Sequence, residues 1–341
     1  MDSAFVIPAG RSGEGDCRGV VSTVIRPHST LFAAVLITLL NCSRNENTPV
    51  ESVLHYPQIA DSLKQNVILD HAIFDSTLFF ATAGGLLSLN PVTNQFNQHA
   101  LVSETGPVEI FDFAAHESRF AMVFGDSIRY SFGDSNHVEK IPDFDHSLFK
   151  VIPSSMSGFW LAGGHPWGFH LYHLEPGGHK TSSPTDSFKA HYDAVTEILE
   201  SPDNSLFIAT QGGLIRYRNG MGEPMIIPGK TLQGINSLAF VSDTLFVATN
   251  HIGIWKYGPD SIWSNISTTD LKSEHLLCVA NTTLWAATGE ALYQRENNGW
   301  KRYELTKKTT ETPLSSFFYW EDTFYIGTFN GLHTWSLPVT D

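Results

Sequence analysis

Short apolar runs recur along the chain, each closed by a turn, nearly always with a glycine, and followed by a second run rich in aromatic residues. The copies are TLFFATAGGLLSL from Thr77, RFAMVFGDSIRYS from Arg119, GFWLAGGHPWGFHLY from Gly158, SLFIATQGGLIRY from Ser205, TLFVATNHIGIWKY from Thr244, TLWAATGEALYQR from Thr283 and TFYIGTFNGLHTW from Thr323. Their first residues stand 42, 39, 47, 39, 39 and 40 positions apart. Runs this short, broken by turn residues and without the 3.6-residue period of a helix, predict strands. A spacing near forty predicts a repeated supersecondary unit.

Each copy is preceded by another apolar run, such as INSLAFV before Thr244 or LSSFFYW before Thr323. Most are followed by a further short one, such as SIWSNI or GWKRYEL. The unit is therefore a four-stranded meander, with strands a (innermost), b, c and d. Such a sheet has two apolar faces, and stacking the sheets face to face around an axis buries both. The predicted fold is all-β, a seven-bladed β-propeller. The pairs Gly84-Gly85 and Gly212-Gly213 suit a b–c turn that needs a positive φ. The seventh copy reaches Trp335 at the end of its strand c. The run 51–56, ESVLHY, has no copy of its own and is expected to supply the missing strand d, which leaves no open edge.

The strand–turn–strand pattern resembles the two-component-regulator propeller family, whose signature is a "LW-A-T--GL--Y" stretch. Leu284-Trp285-Ala286-Ala287-Thr288 and Ile208-Ala209-Thr210-Gln211-Gly212-Gly213-Leu214 carry it best. The resemblance spans roughly Asn66 to Leu337 and is weakest in blades two and three. It implies an extracellular sensing or ligand-binding module. Members within sensor kinases are fused to membrane and kinase parts, and neither is read in this sequence.

The first part of the chain reads as an address. Leu31 to Leu40, LFAAVLITLL, carries no charge. Ten helical residues rise about 15 Å, half the hydrocarbon thickness of a bilayer. The run fits the apolar region of a signal peptide, with Arg18 and Arg26 as its positive flank. Leu39-Leu40-Asn41-Cys42-Ser43 resembles the bacterial lipobox, though Asn41 departs from the usual Gly, Ala or Ser. The resemblance implies lipidation of Cys42, removal of residues 1–41, a polar tether over 42–50 and the propeller over 51–341. The start of translation is expected nearer Val20 or Val24. The mature protein is then expected to be lipid-anchored in the periplasm or on the outer membrane of a bacterium.

Charge narrows the partners. With 21 Lys+Arg against 35 Asp+Glu the formal net charge is −14, which opposes nucleic acid and anionic lipid surfaces. Contact with a membrane is expected through the lipid anchor only. Of the three cysteines, Cys278 lies in the apolar run 276–280 and reads as a buried small hydrophobe, so no disulfide framework is expected.

The b–c turns and d–a connections share one face of the disc, where propellers commonly bind ligands. The b–c turns offer Asp126, His165, Trp167, Gln211, Asn250, His251, Glu290 and Asn330, which differ from blade to blade. Asp70 and Asp112 each stand seven residues before their b-strand copy and are expected to point alike from neighbouring inner strands. Glu197 and Glu274 also fall on inner strands, so an acidic channel lining suited to a cation or amine is expected. Blade three holds His165, His170, His173, His179 and His191. His170 and His173 differ by an odd number and face opposite ways on a strand, so neither metal nor cofactor is expected. The connection 183–192 is a candidate partner-binding loop. No GxSxG elbow, P-loop or dinucleotide fingerprint occurs. The expected role is a ligand-binding or interaction scaffold for a protein, peptide or glycan. A polysaccharide lyase or hydrolase and a sensory subunit of a two-component system stand as alternatives.

Overall fold

The computed structural model describes residues 50–54 and, apart from short segments between strands, residues 67–336; the longest such segments are 141–148, 184–193 and 306–312. Cys42, the apolar run 31–40 and the tether before Val50 lie outside the described residues. The described residues form seven four-stranded antiparallel sheets in the arrangement of a β-propeller. The inner strands are Ile68–Phe74, Asp112–His116, Phe149–Pro153, Val195–Glu200, Ile235–Val241, Leu276–Ala280 and Leu314–Trp320. A short hairpin, Val102–Ser103 with Gly106–Pro107, precedes blade two and has no counterpart in the sequence pattern. No helix of the described residues is long and apolar enough to cross a membrane.

The b strands explain why the apolar runs do not alternate with polar residues. Along Thr283–Ala287, Leu284 and Ala286 pack toward blade five with Ala239 and Ala248. Trp285 and Ala287 pack the opposite way, with Phe317, Phe324 and Trp335 of blade seven. A strand buried on both faces reads as a continuous apolar run. Seven apolar clusters form among the described residues, and each spans two neighbouring blades. The cluster that joins Ile68, Leu78 and Phe80 to Phe318, Tyr325 and Leu332 lies between blades one and seven and closes the ring.

A strand pairing fastens the same seam. Val50–Leu54 runs antiparallel to Gly331–Ser336, from Val50 opposite Ser336 to Leu54 opposite Leu332. The seventh sheet thus takes its outer strand from the start of the propeller.

The threonine of the repeat signature ties the b–c turn. Thr210 Oγ1 accepts the N–H groups of Gly212 and Gly213 at 3.1 and 3.0 Å and donates to the Gly213 carbonyl at 2.9 Å. Thr82, Thr249, Thr288 and Thr328 bond in the same way. Of each glycine pair it is the second, Gly85 or Gly213, that takes a positive φ. Blades two and three have Phe124 and Gly163 in place of the threonine, which accounts for their weak match to the repeat.

Candidate functional site

One position of the inner strand recurs in all seven blades and faces the axis. It is the residue paired with the b-strand position just before the repeat's threonine or, in blades two and three, before Phe124 or Gly163. Asp70 pairs with Ala81, Asp112 with Val123, Lys150 with Ala162 and Glu197 with Ala209. Ser237 pairs with Ala248, Leu276 with Ala287 and Ser316 with Gly327. In blades one, four, five and seven a β-bulge sits just before this residue. Such a bulge re-aims the side chain that follows it. All seven residues line one central cavity of about 330 Å³ at the b–c turn end of the channel. Beyond them the wall is mixed, with Ala72, Ala114, Ile152, Ile198 and Phe317 beside His71, Thr196, Asn236 and Ser315.

The ring also joins the blades. The Val151 N–H donates to Asp112 Oδ2, the Leu238 N–H to Glu197 Oε2 and the Leu277 N–H to Ser237 Oγ. The partners are 39, 41 and 40 residues apart, one repeat in each case. An inner strand has no neighbour on its axial side, and an unpaired N–H there is costly. A side chain of the preceding blade supplies the acceptor. Thr196, in the bulge of blade four, donates to the Ile235 carbonyl at 2.7 Å and adds to the same seam. Across the seam between blades seven and one, Ser316 Oγ has no hydrogen-bond partner, although the residue is only 6% exposed. There the His71 ring stacks on Phe318 with centroids 3.6 Å apart.

The ring is mixed in charge, where the sequence reading expected an acidic lining. Lys150 Nζ lies 3.2 Å from Asp112 Oδ1 and 3.8 Å from Asp70 Oδ2. Asp112 is fully buried; burial, and then the charge of Asp70, push its carboxyl well above the usual range. Burial also acts upward on Asp70, yet the Lys150 ammonium and a hydrogen bond from Asp112 hold that carboxyl below its ordinary value. Burial acts to lower Lys150, and the two aspartates overcome it and raise the ammonium above its usual value. Burial lifts Glu197 to about 7 despite the hydrogen bond from Leu238. Burial lowers His71 to about 4, so its ring is neutral at pH 7.

The turn candidates separate from this ring. Gln211 and Asn250, from the b–c turns of blades four and five, converge over Gly234. A Cβ on Gly234 would stand 2.3 Å from Asn250 Nδ2 and 3.1 Å from Gln211 Oε1. His251 is exposed. Glu290 is exposed and lies 3.8 Å from Arg302 of the outer strand. None of these four lines the cavity. His165 ends the strand Phe159–His165. Asp126, Trp167, Asn330, Glu274 and the connection 184–193 lie outside the described residues. His173 is buried, its Nε2 donating to the Ser157 carbonyl at 2.9 Å. Cys278 is a free, buried thiol raised by burial.

No family model and no curated protein matches the sequence. Solved structures do. The chain is similar to the extracellular domain of a hybrid two-component system from B. thetaiotaomicron, with a TM-score of 0.64 and 18% identity over 84% of this chain and 39% of that one. It is similar to a catalytically inactive virginiamycin B lyase from Staphylococcus aureus determined with quinupristin, with a TM-score of 0.65 and 12% identity over 85% and 99% of the two chains. It is also similar to YCF48 bound to D1 peptide, with a TM-score of 0.62 and 14% identity over 86% and 98%. The chain spans about two fifths of the sensor domain it matches. At these identities the shared property is the fold.

Proposed function

We propose that this chain is an extracytoplasmic, lipid-anchored β-propeller that binds a ligand at the mouth of its central channel. The observation that carries this reading is the cavity itself. Some 330 Å³ of space is lined by Asp70, Asp112, Lys150 and Glu197 together with apolar and polar side chains such as Ile152, Ile198, Phe317, Thr196 and Asn236. Ligand pockets are concave, and convergent polar groups with perturbed acidities mark functional sites. The fold is one that an extracellular sensor domain also uses, which supports the location. The lipobox-like stretch before Ser43 supports the anchor at Cys42.

Two measurements test it. Hydrogen–deuterium exchange on the full chain, with hits from a glycan and peptide array, should show protection concentrated in the inner strands. Protection confined to the outer strands would remove the channel as the site. Palmitate labelling in cells should tag the wild type and leave Cys42→Ser unlabelled. A mature chain that keeps residues 1–41 would overturn the anchor.

A further inference from the structure

We infer that the face of the disc formed by the a–b and c–d connections lies against the bilayer, so that the channel mouth opens away from the membrane; this rests on the lipid-anchor reading above.

The direction of the first strand makes the first argument. Val50 pairs with Ser336, the last residue of strand c in blade seven, and Leu54 pairs with Leu332 near its start. Ser336 in turn pairs with Thr323, the first residue of strand b. The chain therefore enters the propeller on the a–b and c–d face and runs toward the b–c face, where the cavity lies. Seven residues, 43–49, separate Cys42 from Val50. The steps between the two span about 28 Å at most when fully extended. To set the b–c face on the bilayer, the tether would have to run back along the rim for the height of a strand, about 17–20 Å. That consumes most of its reach. With the other face down, none of it is spent.

The second observation is independent of the tether. Among the described residues eight large apolar side chains are exposed, and five of them stand on that face. Met156 lies in the a–b segment of blade three, Ile262 in the c–d segment of blade five, and Met221 opens strand d of blade four. Each is at least 60% exposed. Ile73 and Val279 stand one residue before the ends of their inner strands, at the end of the channel away from the cavity. Of the other three, Phe329 and Ile226 stand toward the b–c and d–a side and Val138 lies within an outer strand. One exposed apolar side chain signifies little on its own. The excess falls on the side where the anchor enters.

Charge selects the lipid. The turns of the same face carry Glu117, Asp243, Asp260, Glu321 and Asp322, all exposed. Anionic lipid repels such a face, so the contact suits zwitterionic headgroups. Acyl chains on Cys42 supply the hold, and the apolar side chains set which way the disc lies. The ligand of the channel then arrives from the aqueous side.

Fluorescence quenching on the lipidated full chain in phosphatidylcholine vesicles tests the inference, with a nitroxide on the lipid headgroup as quencher. Probes are placed one at a time on Met156→Cys and Ile262→Cys, and on His251→Cys and Glu290→Cys at the b–c turns. All four positions are exposed, and Cys278 is buried and stays unlabelled. Two positions on each face let either carry the comparison if one variant misfolds. Quenching at 156 and 262 should exceed that at 251 and 290 at least threefold. Equal quenching on both faces, or more at the b–c turns, overturns the inference and leaves the anchor standing. So does the absence of quenching at all four positions. A chain that fails to sediment with the vesicles overturns the anchor and the inference with it.

Discussion

Glu197 Oε2 accepts the backbone N–H of Leu238 at 2.6 Å, across the seam between the fourth and fifth inner strands. Asp112 with Val151 and Ser237 with Leu277 repeat the relation at other seams. These contacts place polar side chains on the axis for a structural reason before any ligand is considered. They also concentrate buried charge there, because an acid that caps a backbone N–H has one oxygen committed and the rest of its carboxylate in the cavity. The same residues therefore hold the blades together and set the electrostatics of the channel.

Glu197 should make stability depend on pH with a recognisable sign. Its carboxyl is lifted from an ordinary 4.5 to about 7 in the folded chain. Between those values the folded state holds a proton that the unfolded state has released. The contribution is most favourable at or below pH 4.5 and is lost as pH rises through 7. Urea unfolding at pH 5 and pH 7.5 should show the wild type losing stability relative to Glu197→Gln at the higher pH. A wild-type to variant difference that does not change with pH would refute the assignment.

Asp112 and Lys150 should be strongly coupled. Asp112 accepts the Val151 N–H, and its other oxygen faces the Lys150 ammonium. Asp112→Ala strips the acceptor and leaves a partly buried cation with the more distant Asp70 alone, at a cost of about 3 kcal/mol. Lys150→Met alone leaves two facing aspartates. The double variant should be less unstable than the sum of the two by more than about 1 kcal/mol. Guanidinium unfolding of all four proteins measures this, and additive losses would show that the contact is not energetically real.

The repeat made the blades legible, and the charge of the channel was only half legible. Asp70, Asp112, Ser237, Leu276 and Ser316 all stand seven residues before their b-strand copies, so a fixed offset finds them. Lys150 and Glu197 stand eight before, because the segments between strands a and b in blades three and four, 154–158 and 201–205, are longer than in the other blades. Glu197 is legible all the same, as an acid within an inner-strand apolar run. Lys150, one of 21 basic residues in the chain, lies in an irregular blade and off the common offset, so nothing local marks it. The b–c turn residues vary from blade to blade, yet the cavity is lined by inner-strand residues at a repeated position. Turn chemistry is visible locally, whereas convergence on an axis depends on where seven distant strands come together.

Thr210 should act through its hydroxyl. It is fully buried, and Oγ1 serves two N–H groups and one carbonyl of the turn. Thr210→Val keeps the shape and removes those bonds, so it should cost about 1–3 kcal/mol. Thr210→Ser should stay near the wild type. Thermal melts of the two variants decide it, and a loss in Thr210→Ser as large as or larger than that in Thr210→Val would mean that the hydroxyl is not what matters.

The seam between the first and last blades should be the ring's weak point when its outer strand is removed. Val50–Leu54 contributes one whole strand of the seventh sheet, paired at five positions with Gly331–Ser336. Removing residues 43–57 opens the ladder and exposes the backbone of Gly331–Ser336 as a free edge. Several ladder hydrogen bonds at about 1 kcal/mol each correspond to a melting temperature lower by roughly 10 °C for a domain of this size. The apolar cluster between blades one and seven, with Phe80, Phe318 and Tyr325, stays in place, so the truncated chain should still fold and should self-associate through its new edge. Calorimetry and light scattering on the truncated chain test both effects. A melt unchanged from the wild type would show that the apolar seam alone closes the ring and that the strand pairing is incidental to stability.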